Sequence, residues 1–207
     1  KQTQHVQSWE VSDTLWQQVE PLIPTPQRDP NREYQRNAGG GRKPLPPRQV
    51  FAGIVYVLRT GMPWKALPKA RFGSPSAIHR YFLAWQAAGL FEKLWQAGLM
   101  EYDEMHGIAW TWQSLDGSLT KAPLAQAAGG PIPRIGEKKG STRSLLVDGR
   151  GIPLALVVSG AETPDGSLLP ATRAARVLQR RAPGNGAPQS LSGDKGYPGE
   201  TAWNASQ

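Results

Sequence analysis

Two aspartates carry the chemistry that this sequence could do. Asp116 stands in WTWQSLDG and Asp194 in SLSGDKGYPG, each beside a glycine in a stretch that reads as a strand. Two carboxylates delivered to one place by strand ends can hold a hard divalent cation such as magnesium, the requirement of metal-dependent phosphoryl transfer. Each also has a structural reading: Asp116 as a turn residue before Gly117, Asp194 as a helix cap before Lys195. Asp148 falls in an Asp-Gly-Arg-Gly turn and is expected to form that turn, and Asp165 is expected to cap the helix that follows it. The chain has no cysteine and only three histidines, so thiolate sites are excluded and histidine-based metal sites disfavoured.

The elements that must position this pair can be read from periodicity. From Ile108 the pattern alternates, with Trp110, Trp112, Ser114 and Asp116 on one strand face and Gly117 expected to end it. Residues 120–134 read as loop. STRSLLV and IPLALVV read as two apolar strands joined around Asp148 and Gly149, a hairpin signal. A helix is expected over residues 164–180, with Leu168, Leu169, Ala175 and Leu178 inward and Arg173, Arg176 and Arg180 outward. A short strand then leads into Asp194. The order is strand, strand, strand, helix, strand, with aspartates at the ends of the first and fourth. That is the element order of an RNase H-like core.

The first half is helical. Residues 11–24 predict a short helix capped by Ser12 or Asp13 and ended by proline. Residues 25–46 read as a mobile loop. Pro47 opens a cleaner helix and Gly61 closes it, with Val50, Ile54, Val57 and Leu58 toward the core. MPWKALP predicts a single turn around Trp64. Ser74 and Pro75 start a third helix, with Ile78, Phe82 and Trp85 inward, and a fourth runs from Leu90 to about Met105. Trp64, Trp85 and Trp95 are read as core side chains rather than base-stacking platforms. Short helices with tight turns fit a helix-turn-helix-like module in which the helix from Pro75 to Ala88 enters the major groove of DNA and Ser76, His79 and Arg80 are its outward-facing readers.

Charge favours the same partner. The formal charge is +8, and no acid occurs from Tyr34 to Phe91 although nine Lys and Arg residues do. A one-signed tract of that length is unusual on a solvated surface and suits nucleic-acid phosphates. Arg42, Lys43, Lys65, Arg71 and Arg80 are candidate contacts in it. Lys138, Lys139, Arg143 and Arg150 flank the hairpin, where a DNA backbone would approach the aspartates. The expected division is a DNA-binding module over residues 9–106 and a catalytic core over residues 108–207. No apolar run is long enough to span a membrane, and the N-terminus lacks a signal-peptide core, so a soluble, intracellular protein is expected.

The sequence also resembles the DDE-type insertion-sequence transposases, in particular the group built around insertion sequence five. The matching stretches are GMPWKALP, FGSPSAIHRYFLAWQAAGLFEKLW, SLDGSLTKAP, GEKKGSTRSLLVDGRGIPLALVVSG and GDKGYPG, together covering about residues 9–200. The resemblance implies a helical module that binds element ends, followed by an RNase H-like mixed sheet. By position, Asp116 is the family's first catalytic carboxylate and Asp194 its second. Two magnesium (or manganese) ions about 3.5–4 Å apart would serve the reaction. It further implies double-stranded DNA as partner, both terminal repeats and target. A homodimer pairing two ends and a cytoplasmic, nucleoid-associated location in a bacterium complete the expectation.

The same family needs a third acid, a glutamate on a later helix within a Tyr…Arg…Glu…Lys pattern. Here Gln207 follows Asp194 by thirteen residues, and Glu200 comes too early to be that glutamate. The expectation is therefore an incomplete core that is inactive alone. A fragment, an interrupted gene and a frameshifted product are all compatible with it. Two other functions stay open: a non-catalytic DNA-binding relic or regulator using residues 9–105, and a nuclease or ribonuclease of the same core.

Overall fold

Prolines and glycines set the boundaries of the helical half. The computed structural model describes residues 9–25, 43–121, 130–132, 139–178 and 190–193. Helix α1 spans Asp13–Val19, and the Ser12 hydroxyl caps it by accepting from the Leu15 N–H at 3.1 Å. A 3-10 turn over Glu20–Leu22 contains Pro21. Helix α2 spans Pro47–Thr60 and stops on Gly61, whose φ of 68° is a left-handed cap that costs glycine nothing. A 3-10 turn at Trp64–Ala66 matches the turn expected around Trp64. Helix α3 (Lys69–Phe72) was not foreseen, being one turn long. Helix α4 spans Pro75–Ala87 and α5 spans Leu90–His106.

The helical core gathers Trp16, Val19, Val50, Phe51, Ile54, Val57, Leu67, Phe72, Ile78, Trp85 and Leu90. Leu58, expected inside, is 57% exposed, and Phe51 is buried instead. Phe51 meets Trp16 of α1, while Leu58 lies two turns further along α2. Gly53 marks the close approach of α2 to its neighbours, because a Cβ there would lie 3.3 Å from Ile78 and Phe72.

The sheet half begins later and runs further than expected. Strand β1 spans Trp112–Lys121, passing straight through Gly117. Gly117 is not a strand break: an added Cβ would lie 2.5 Å from the Asp165 carboxyl carbon, so glycine leaves room for that side chain. Trp110 precedes the strand, partly buried against the sheet core. The stretch read as loop begins inside β1 and includes a two-residue strand, β2 (Gly130–Pro131). Strands β3 (Lys139–Asp148) and β4 (Pro153–Gly160) form the expected hairpin. Helix α6 spans only Asp165–Ala174, then Val177 donates its N–H to Leu154 O of β4. The chain leaves the helix to bond the sheet, so Ala175 is exposed. Strand β5 spans Ser190–Gly193.

In the sheet β3 pairs antiparallel with β1, β2 and β4, and β5 pairs parallel with β1. Leu115, Leu146, Leu154 and Ala155 form the sheet side of a core that Leu169 of α6 completes with Ile108. Beside it the fully buried Thr172 hydroxyl lies 2.8 Å from both Leu168 O, to which it can donate, and Ser144 Oγ, from which it can then accept, and this fixes α6 on β3. The chain forms two compact units, Lys1–Leu94 and Trp95–Gln207, and the boundary falls within α5. Each has its own core.

Candidate functional site

Asp116 lies in the middle of β1 and is exposed, while its neighbour Leu115 is only 2% exposed. Alternation along the pleat therefore puts Leu115 and Gly117 on the α6 side and Asp116 on the other. Asp116 pairs with Leu145, and the next pair on that face is Ser118 with Arg143. Arg143 and Lys139 are exposed and share the parity of Leu145, so both basic residues expected near Asp116 stand on its face. Trp112, Leu156 and Val158 are also exposed there, at 53, 44 and 48%.

Strand β5 approaches the same point. Its register runs Trp112 to Ser190, Gln113 to Leu191, Ser114 to Ser192 and Leu115 to Gly193. Asp194 lies outside the described residues, as do Lys138 and Arg42. Among the described residues no three His, Cys, Asp or Glu side chains converge as a metal site.

The remaining acids of the sheet have other work. Asp148 is 2% exposed. Its carboxylate accepts the N–H groups of Ala109 at 2.9 Å, Arg150 at 2.9 Å and Ile152 at 2.8 Å. Burial alone pushes its pKa up, but these three donors and the Arg150 charge outweigh burial and hold it below the ordinary 3.8. It forms the turn, as its position in the sequence implied. Asp165 is the first residue of α6 rather than its cap, which is Pro164, and its carboxylate packs over Gly117. That is the side of the sheet away from Asp116. The Glu162 carboxylate fills the space where Cβ atoms of Gly130 and Gly160 would lie. Neither Asp165 with Gly117 nor Glu162 with Gly130 has a signal in spacing, because these partners are remote in sequence.

Arg150 was grouped with the basic residues of the hairpin rim. Its guanidinium instead donates to His106 O at 2.9 Å and Gly107 O at 3.0 Å, closing the C-terminal end of α5. A cation at that end also meets the negative end of the helix dipole.

In the helical unit Lys43, Lys65, Ser76 and Arg80 are exposed. Arg71 is exposed as well, but lies 4.0 Å from Glu10 and over the Phe72 ring. His79 is half-buried, with its ring centroid 4.9 Å from that of Trp64 and 6.4 Å from that of Phe82. It packs within this aromatic group, unlike the exposed Ser76 and Arg80. Arg48 bonds Asp13, both well exposed, so the pair adds little stability.

Residues 11–95 match the family model described as "Putative transposase of IS4/5 family (DUF4096)". The chain is 34% identical over 127 residues to the "Insertion element IS402 uncharacterized 16.2 kDa protein" of Burkholderia cepacia, an alignment covering 60% of this chain and 82% of that protein. No solved structure matches. Among the described residues no helix is long and apolar enough to cross a membrane. The matched segment takes in most of the helical unit, and the relative extends the likeness over most of its own length: this chain belongs to the IS4/5 family of insertion-sequence transposases.

Proposed function

We propose that the protein acts as a DDE-type transposase, binding the ends of its insertion element and taking part in metal-dependent cleavage and transfer of DNA strands. One observation carries the catalytic part. The described β1–β5 register runs as far as Leu115 opposite Gly193, and Asp116 and Asp194 are the next residues of the two segments. The topology supports it: three antiparallel strands (β1, β3, β4), a helix, and a strand returning parallel beside the first follow the RNase H-like order. In the helical unit, α2 to α4 serve as the helix-turn-helix-like module.

Exposed carboxylate oxygens are the donors that magnesium or manganese prefers, so Asp116 suits a hard divalent cation and Asp194 is its proposed co-ligand. When bound, such ions activate the attacking oxygen and neutralise charge on the leaving oxygen. Arg143 and Lys139, on the face of Asp116, attract the phosphate backbone and orient it over the carboxylates. Leu115 and the packing beneath it hold β1 rigid, which keeps Asp116 in place as the duplex docks. Two copies would pair two element ends in the cytoplasm, on the nucleoid.

A second reading has an observation of its own. The family-model match falls on residues 11–95, in the helical unit and short of Asp116, which suits a DNA-binding relic or regulator. A cleavage assay on element-end DNA with magnesium separates the two. Cutting that disappears in Asp116→Asn is the transposase result. Binding with no cutting selects the regulator, and cutting that survives Asp116→Asn contradicts the assignment of the site.

A further inference from the structure

The helical unit contains a cleft that draws together residues from three places in the chain. The segment around Lys43, helix α3 and the first turns of α4 line a cavity of about 760 Å³. Its charged lining is Lys43, Lys69 and Arg80, with Ser76 beside them and, among the described residues, no acid. Leu45 and Tyr81 supply an apolar wall. The corner between α3 and α4 is Gly73, whose φ is 90° and whose missing Cβ would sit 3.3 Å from Leu45. Only a residue free to adopt that φ lets the wall close so near the cations.

Three like charges converging on one concavity repel each other unless a polyanion shares them. Two other cations of the acid-free tract behave differently. Arg48 and Arg71 reach back to the carboxylates of Asp13 and Glu10, whereas the residues of this cleft line open space.

We propose that this cleft grips the sugar–phosphate backbone of duplex DNA, with phosphate oxygens against Lys43, Lys69 and Arg80 and a sugar against Leu45 and Tyr81. Ser76 and Arg80 then position the duplex instead of reading its bases, the role that their outward placement on α4 suggested. Lys69 joins the contact set. The inference rests on the DNA-binding reading above and assigns these residues a sequence-independent share of it.

The test is fluorescence anisotropy with short duplexes of several unrelated sequences across a salt series. It compares the wild-type chain with Lys69→Ala/Arg80→Ala, Arg80→Lys and, as a control on α5, Lys93→Ala. Losing two phosphate contacts in the double variant should lower the log–log salt slope by about 2 and the affinity about a hundredfold near 0.1 M salt, equally for every duplex. Arg80→Lys should keep most of the affinity, since a phosphate accepts a point charge where a guanine edge needs the guanidinium fork. Selection from a random duplex library should enrich the same sequences with the wild-type and Arg80→Lys proteins. If the wild type binds and the double variant keeps its slope, the cleft does not hold the backbone. If Arg80→Lys instead loses the enriched sequence, Arg80 is a base reader and the proposal fails. A wild-type chain that binds no duplex removes the DNA-binding reading itself, and this inference with it.

Discussion

Asp116 and Asp148 differ in what surrounds them, and so in what their replacement would change. Asp116 is exposed on the sheet face that also carries Lys139 and Arg143. Asp116→Asn should leave the melting temperature within about 1 °C of wild type, as an exposed substitution away from packing does. Asp148 is buried with three N–H donors. Asp148→Asn should cost about 2–3 kcal/mol at neutral pH, the scale of hydrogen bonds to a charged group, in a urea titration. Its pKa is depressed by folding, so its contribution is present above the ordinary 3.8 and fades as pH falls through the lower folded value. The gap between wild type and Asp148→Asn should therefore narrow below about pH 4 in the same titration. A gap constant with pH would mean that the charge of Asp148 is not what holds the turn. The turn role was legible from Asp-Gly spacing. The role of Arg150 was not, because its partners are backbone carbonyls at the end of a distant helix, and carbonyls carry no sequence signature.

Elements with local punctuation were readable. Pro47 and Gly61 bracket α2, Ser74 and Pro75 open α4, and the β3–β4 hairpin follows its Asp-Gly turn. Where tertiary contact decides, periodicity misled. Gly117 looked like a strand end, yet β1 continues through it because Asp165 needs the space. Helix α6 looked longer, yet its end is diverted when Val177 bonds β4. A double-mutant cycle tests the Gly117 contact. Gly117→Ala alone should cost about 1–2 kcal/mol by overpacking against the Asp165 carboxylate. In an Asp165→Ala background the same change should cost little, giving a coupling of about 1 kcal/mol. Additive effects would show that the glycine serves something other than Asp165.

At the scale of the molecule, two cores divide the chain, and one family match covers most of the helical unit. Ile54 is fully buried in the helical core. Ile54→Ala should destabilise that unit by about 2–5 kcal/mol and reduce DNA affinity through it. Exchange protection of β1 and β3 amides should stay unchanged, as hydrogen exchange would report. The mixed helix-and-sheet class and the strand that carries Asp116 were legible because they depend on order and alternation. The central claim is that Asp116 and Asp194 form one carboxylate pair for divalent metal. The most direct measurement is manganese titration of the 207-residue chain followed by electron paramagnetic resonance. Saturable binding that is lost in Asp116→Asn and equally in Asp194→Asn is the expected result. Binding that survives either single substitution unchanged would contradict the pair.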